Sequence, residues 1–198
     1  MVRYAAMYRY AATDVIRAAP SARADTIALL VRDSLCIAND PCVRSYSRMI
    51  EFDPEVPGWA VLRFSDDSAW AQVTLAPFDS AGPTGWVALR DDSAKVLLWS
   101  RILPNKSLYF LRPIDVAFYA APVESARVER TLVRHANSDE YNYIMTPLEV
   151  RGAWLRVALL TPSPMCEWPE PKVTPDTLWI RFLTADNRPR VFYYTRGC

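Results

Sequence analysis

The chain has 198 residues, of which 51% are hydrophobic and only 5 are glycine. This composition is sufficient for a packed core and argues against a largely disordered chain. The formal net charge of +1 provides no strong overall field, so nothing favours nucleic acid or an anionic membrane surface as a partner. No run of about 18 apolar residues occurs, so no membrane-spanning helix is predicted.

In chain order, the sequence reads mostly as short β-strands. Residues 1–12 lack the apolar centre of a signal peptide and are interpreted as an N-terminal extension. Helical periodicity is scarce, and residues 22–33 are the one range that would suit a short helix. Elsewhere, apolar runs end at Pro, Gly, Asp or Asn, which is typical of strands. The predicted strands are 26–32, 59–64, 70–75, 86–90, 95–99, 107–111, 115–119, 127–134, 141–145, 154–160, 178–183 and 190–194. We therefore expect an all-β protein, either small barrels or a sandwich.

Three landmarks occur twice in the same order, which predicts an internal duplication. The first is "VIRAAPSARADTIALLV" (15–31), which parallels "AFYAAPVESARVERTLV" (117–133). The second is Ala-Trp-x-x-Val-x-Leu, at 69–75 and again at 153–159. The third is a Trp followed by a β-branched residue, a polar turn and a closing strand, which begins at Trp86 and at Trp179.

The order of an Ala-Ala-Pro segment, Trp-x-x-Val and (Gly-)Trp-Val/Ile resembles that of bacterial SH3-like domains. The resemblance implies two tandem SH3-like β-barrels, at 13–103 and 115–198, separated by a linker at 104–114. It also implies an extracytoplasmic or envelope-associated protein that binds or targets, since such domains are rarely catalytic. The Gly expected before Trp179 is replaced by Leu178.

The four cysteines also point to an oxidising compartment. Cys36 and Cys42 flank the turn-like "IANDP", Cys166 lies in a Pro-rich stretch, and Cys198 is the last residue. An even number at loop-like positions predicts two disulfides, and we expect Cys36–Cys42 and Cys166–Cys198 among the three possible pairings. The alternative is four reduced thiols in a cytoplasmic protein.

Partner binding is predicted on the polar side of the Ala-Trp strands. Strand alternation places Leu155, Val157 and Leu159 on one face and Trp154 and Arg156 on the other, and it places Trp70 on the corresponding polar side. Together with the Pro-rich loop 163–176, the predicted partner-binding residues are Trp154, Arg156, Trp168, Arg181 and Trp70. Trp and Arg are common interface anchors, and polar-side tryptophans on a small barrel also suit Pro-rich peptides. Alternatively, these tryptophans pack under a loop or against the neighbouring domain.

No catalytic or cofactor motif is present, so we expect no enzyme, no cofactor and no metal site. A Cys-His hydrolase would need His135, the only histidine, beside Cys166. Acidic pairs such as Asp66-Asp67 are interpreted as solvated turns, with a calcium loop as the alternative. The Arg-Tyr steps at the N-terminus could stack on single-stranded nucleic acid, but the chain lacks a basic face.

The sequence thus predicts a non-enzymatic accessory or scaffolding subunit in the periplasm or envelope. It would dock on protein subunits of a larger membrane-associated complex without spanning the membrane itself. The alternatives are a peptidoglycan-binding module and the Cys-His hydrolase.

Overall fold

The computed structural model of the chain is nearly all β. It describes residues 5–9, 13–31, 34–38, 41–44, 50–53, 56–76, 81–89, 94–104, 106–110, 116–132, 143–161 and 174–193. The all-β prediction is confirmed, with two sheets, one of them a half-barrel. In the described residues one helix occurs, α1 (Trp99–Ile102), at the end of the predicted strand 95–99.

The chain divides into two compact units, each with its own sheet. The first unit comprises Met1–Trp99 and Ala185–Arg188, and the second comprises Ser100–Thr184 and Pro189–Cys198. The strands of the first are β1 (Ala5–Arg9), β2 (Thr13–Arg17), β3 (Thr26–Val31), β4 (Ser34–Ile37), β5 (Val43–Arg44), β6 (Ile50–Asp53), β7 (Val56–Phe64), β8 (Trp70–Thr74), β9 (Thr84–Ala88) and β10 (Ala94–Leu98). Those of the second are β11 (Leu108–Phe110), β12 (Val116–Tyr119), β13 (Val128–Leu132), β14 (Ile144–Arg151), β15 (Trp154–Leu160), β16 (Asp176–Arg181) and β17 (Val191–Tyr193).

Strands occur within the predicted N-terminal extension, within the predicted linker and within the range that would suit a short helix. In the last two stretches a strand was also predicted, at 107–111 and 26–32. β1 lies within residues 1–12 and pairs with β7 and β10. β11 lies within residues 104–114 and pairs with β14 and β17. The possible helix at 22–33 is wrong, because β3 occupies half of that range and pairs with both β2 and β4.

The two sheets share one strand order. The first runs β10-β1-β7-β8-β9-β2-β3-β4-β5, with β6 paired to β7. The second, read from its other end, runs β17-β11-β14-β15-β16-β12-β13. Leaving out β4, β5 and β6, each sheet has the last strand of its unit, then the first, fourth, fifth, sixth, second and third. β8 and β15, which begin with Trp70 and Trp154, therefore hold the same place.

Irregularities in the pairing also recur. The β2–β3 pair shifts register between Ile16 and Arg17, and the β12–β13 pair shifts between Phe118 and Tyr119. A β-bulge of this kind places two residues of one strand opposite a single residue of its partner. The extra residue lies on the third strand of each unit, Ile27 in β3 and Glu129 in β13. Phe118 faces the core and Tyr119 faces outward, beside β16, as the alternation along β12 requires.

The Ala-Ala-Pro loops have the same backbone bonds in both units. The amide of Ala18 donates to the carbonyl of Asp25 at 2.9 Å, and that of Ala120 donates to Arg127 at 3.0 Å. In each case the bond closes the hairpin directly after the second strand of the unit. The predicted parallel between 15–31 and 117–133 therefore extends to local geometry.

Apolar side chains between the strands form the core of each unit. In the first unit the buried cluster is Ile16, Ala28, Leu30, Leu35, Trp59, Val61, Ala71, Val73, Leu75 and Val87. In the second unit, buried side chains on the inward faces include Phe118, Met145, Leu155, Val157, Leu159, Ile180 and Phe182. By their register, Trp59 corresponds to Met145 and Ala71 to Leu155, so large and small core residues are distributed differently in the two units.

In the described part of the chain, no helix has the length and apolar character needed to cross a bilayer.

Candidate functional site

The alternation predicted for β15 is confirmed. Leu155, Val157 and Leu159 are at most 1% exposed, which places them in the core. Trp154 is half-buried and Arg156 is exposed, both on the opposite side of the strand. The outward face of β15 is therefore the candidate functional surface of the second unit.

Trp154 packs against a side chain of its own unit. Its ring meets that of Tyr119 edge to face, with centroids 5.2 Å apart and an interplanar angle of 89°. This geometry is favourable for aromatic pairs because the positive edge of one ring meets the negative face of the other. Trp154 is thus held in a fixed orientation while part of its ring remains accessible.

The two predicted arginines differ in their surroundings. Arg156 makes no ion pair with any described residue. Arg181 forms an ion pair with Glu124 of the Ala-Ala-Pro loop, and its Nε donates to the carbonyl of Leu183 at 3.1 Å. Arg181 therefore ties the loop to β16, whereas the Arg156 guanidinium is bound by none of the residues that the structure describes.

A further arginine, Arg190, lies near this cluster. Its Nη1 donates to the carbonyl of Arg181 at 3.4 Å. Burial lowers the pKa of the Arg190 guanidinium; the nearby Tyr119 raises it, and the charge of Arg181 lowers it. Arginine nevertheless stays charged at physiological pH, so Arg190 adds positive charge beside Tyr119.

Trp179 was not among the predicted binding residues, yet it lies on the same face as Trp154, opposite Arg156. The Arg151 guanidinium lies over its ring, with Cζ 5.0 Å from the centroid. Nε and Nη2 of Arg151 donate to Oε1 of Glu149, at 3.2 and 2.6 Å. Trp179 is only 8% exposed, and the Arg151 side chain covers part of its ring. A Trp-stacked arginine with its own carboxylate therefore occupies this face.

The first unit contains a matching cluster around Trp86, which is 7% exposed. The Arg63 guanidinium lies over the ring, with Cζ 5.2 Å from the centroid. Nε of Arg63 donates to Oε1 of Gln72 at 2.7 Å, and Nε2 of Gln72 donates to Oγ1 of Thr84 at 3.0 Å. Here the Trp-stacked arginine is held by an amide instead of a carboxylate.

Strand register places the first-unit residues in one row across four strands. Arg17 on β2 is opposite Trp86 on β9, Trp86 is opposite Gln72 on β8, and Gln72 is opposite Arg63 on β7. We call Arg17, Trp86, Gln72 and Arg63 the first-unit row. Trp70 lies half-buried on the same face, two residues before Gln72.

The corresponding row of the second unit is Tyr119, Trp179, Arg156 and Glu149. Trp86 and Trp179 hold the same place in the two rows. The third landmark of the repeat begins at these two residues, so the sequence could have predicted their equivalence. The arginine above each ring comes from a strand distant in sequence, so no local pattern marked it.

The turn before Trp70 is built differently from the turn before Trp154. Gly152 has φ of 61°, a left-handed conformation that glycine adopts without cost. Ser68 holds the matching position with φ of 57°. There the carboxylate of Asp67 accepts hydrogen bonds from the Ser65 hydroxyl at 2.6 Å and the Ala69 amide at 3.0 Å. Both hydrogen bonds lower the pKa of the Asp67 carboxyl, and the bond from Ser65 has the larger effect.

Several predicted residues lie outside the described residues. They are Trp168, Cys166 and Cys198, together with most of the loop 163–176 and the alternative catalytic residue His135. Among the residues that are described, no group of three or more His, Cys, Asp or Glu is placed to hold a metal ion.

The predicted Cys36–Cys42 disulfide is confirmed, with a Cα–Cα distance of 4.1 Å. Cys36 lies on β4 and Cys42 directly precedes β5, a strand of only two residues. The bond therefore holds a short edge extension that the second sheet lacks among its described strands. The predicted partner bond, Cys166–Cys198, involves residues outside the described part.

Replacing Cys36 and Cys42 together by serine should lower the free energy of unfolding by about 2 kcal/mol, because the closed loop is short. Urea denaturation of the double variant against the oxidised chain measures this. Thiol titration of the denatured native protein is the control, and two reactive thiols at Cys36 and Cys42 would contradict the bond.

No protein-family model matches the chain, and no curated protein sequence matches it. The role of the two outward faces is therefore inferred from their geometry alone.

Proposed function

We propose that the chain is a non-enzymatic accessory or scaffolding subunit that docks on a larger membrane-associated or envelope protein complex. In this proposal the chain consists of two tandem SH3-like barrels, at 13–103 and 115–198. The shared strand order, the repeated register shift and the matching Ala-Ala-Pro loops support a duplicated unit.

The setting that we propose is extracytoplasmic. Disulfides persist in oxidising compartments and are rare where glutathione keeps thiols reduced. The Cys36–Cys42 bond supports such a compartment.

One observation carries the docking proposal: Arg156 is exposed, has no ion pair among the described residues, and lies on the outward side of β15 beside Trp154. Trp and Arg dominate binding energy at interfaces because they bring large contact areas and several hydrogen-bond donors. Leu155 and Val157, on the other side of the strand, are fully buried. This burial fixes the direction in which Trp154 and Arg156 point, so a partner would meet a rigid surface.

The Arg156→Ala variant should bind the native complex at least about tenfold more weakly, as expected for the loss of an interface anchor. The size of the assembly that contains the chain in native membrane extracts, measured by native gel electrophoresis, checks this. Arg130→Ala is the matched control, because Arg130 is on the same sheet but is already paired with Asp176 at 2.6 Å.

Three results would contradict the proposal. Equal assembly of wild type and Arg156→Ala would exclude this face. Adhesion of the chain to purified peptidoglycan, without any stoichiometric protein partner, would favour the wall-binding alternative. Hydrolytic activity that a thiol reagent abolishes would favour the enzyme with His135 and Cys166.

A further inference from the structure

The two arginines that stack on tryptophan, Arg63 and Arg151, have different hydrogen-bond acceptors for their guanidinium groups. In the second unit, Nε and Nη2 of Arg151 both bind the carboxylate of Glu149. In the first unit, only Nε of Arg63 is bonded, to the Gln72 amide. Neither terminal nitrogen of Arg63 has an acceptor among the described residues. The second unit thus supplies its own carboxylate, that of Glu149, to its Trp-stacked arginine, and the described residues of the first unit supply none to Arg63.

We propose that Arg63 is a receptor for a carboxylate that comes from an acidic segment of a partner protein. The guanidinium has five N–H donors in a rigid fork that matches a carboxylate. Trp86 beneath it and Gln72 beside it fix its position before binding. Little side-chain entropy is then lost when a carboxylate binds, which raises affinity.

Charge on this face also favours an acidic partner. The first-unit row has two guanidiniums, Arg17 and Arg63, and neither forms an ion pair with a described residue. Arg17 donates to the Ala24 carbonyl at 3.0 Å and to Thr26 Oγ1 at 2.8 Å, both neutral acceptors. The other members of the row, Trp86 and Gln72, are uncharged. The row is therefore positive without internal compensation.

The spacing of the row defines the kind of segment that fits. Arg63 and Arg17 are three strands apart, which is about 14 Å between their backbones. An extended chain covers that distance in about four residues. The geometry therefore fits an extended segment that has two acidic residues about four positions apart, with the residues between them crossing Trp86 and Gln72.

The probe for this proposal is a fluorescein-labelled, Pro-rich decapeptide with two glutamates four positions apart. Its binding to the purified chain is measured by fluorescence anisotropy at low and at physiological salt. We expect binding that weakens with salt, because the pairs are exposed, and no binding of the same peptide with glutamine in place of glutamate. Failure of the acidic peptide to bind at millimolar concentration would overturn the proposal.

Two variants test Arg63 itself. Arg63→Gln should weaken binding at least about tenfold, since a charged hydrogen-bond pair is lost. Gln72→Glu should weaken it as much although Arg63 is unchanged, because the new carboxylate would occupy the fork as Glu149 does in the second unit. Arg127→Gln removes an equal charge from a residue that is already paired with Glu129, and it should leave binding unchanged. Melting temperatures of all variants show whether they fold.

Other outcomes would overturn the proposal. Equal binding by wild type and Arg63→Gln would exclude Arg63, and equal losses in all three variants would indicate a non-specific charge effect. Displacement of the peptide by inorganic phosphate at equal concentration would indicate a general anion site instead of a carboxylate receptor. The carboxylate site at Arg63 rests on the proposed docking function in one respect, namely that the partner is a protein. Since the peptide assay uses the purified chain and not Arg156, the two can fail separately.

Discussion

Replacing Phe118 by alanine should lower the free energy of unfolding of the second unit by about 3–5 kcal/mol. The Phe118 ring is 0% exposed, and it meets the ring of Phe110 edge to face, with centroids 6.3 Å apart. Removing it leaves a cavity that β12 cannot close, because the next residue, Tyr119, is held on the outward side against Trp154. The lost burial and the cavity then both contribute to the cost.

Urea denaturation followed by tryptophan fluorescence measures this change. Leu148→Ala is the control: Leu148 is also on the second sheet but is 53% exposed, so the change should stay within about 0.5 kcal/mol. A loss below about 1 kcal/mol for Phe118→Ala would mean that the core of this unit can collapse around the cavity. Because Tyr119 follows Phe118, we also expect the Arg156 face to bind its complex less tightly in this variant.

Features that depend on one strand at a time could be predicted from the sequence. The alternation of β15 is an example, because burial of Leu155, Val157 and Leu159 follows from the period of two. The Cys36–Cys42 bond is another, because only five residues separate the two cysteines and the sequence Asn39-Asp40-Pro41 among them favours a turn. The equivalence of Trp70 and Trp154 also follows from a local motif.

Features that depend on pairing between distant strands could not be predicted. Arg63 reaches Trp86 from a strand that is not adjacent to β9, and Arg151 reaches Trp179 in the same way. Nothing near either arginine in the sequence shows which ring it will cover. β1 was missed for a similar reason: its alanine-rich sequence has weak strand propensity, and its pairing with β7 and β10 decides its conformation.

The structure also changes the interpretation of one predicted binding residue. Arg181 was predicted as a possible addition to the binding face, and strand register places it opposite Trp154. Its ion pair with Glu124 nevertheless uses its charge within the unit. By register, the matching position on β9 is Ala88, which cannot form such a pair. The two units therefore differ at this position of their outward faces.

The final prediction concerns Gly85, the glycine that precedes Trp86, because the second unit has Leu178 in its place. A Cβ at position 85 would lie 2.3 Å from Cγ2 of Ile16 and 2.9 Å from Cδ1 of Ile27. The branched Ile16 side chain is fully buried, so its neighbours leave it little room to shift. In the second unit the place of Ile27 is taken by the charged Glu129 on an exposed stretch of β13, and Leu178 is only half-buried. In the first unit, Ile16 of β2 and Ile27 of β3 fill the space above Gly85. In the second unit, the side chain of Leu178 on β16 takes up the corresponding position.

Gly85→Leu, which copies the second unit, should therefore cost about 3 kcal/mol or more through overpacking. The reciprocal change, Leu178→Gly, removes a half-buried side chain and should cost less. A double-mutant cycle measured by urea denaturation tests the cause: in an Ile16→Ala background the cost of Gly85→Leu should fall by at least about 1 kcal/mol, because the clashing methyl group is gone. If the cost is the same in both backgrounds, contact with Ile16 is not the reason for the glycine. If Gly85→Leu costs nothing, β9 can move away from β2, and the fixed placement of Trp86 beside Arg63 would no longer follow from the packing beneath it.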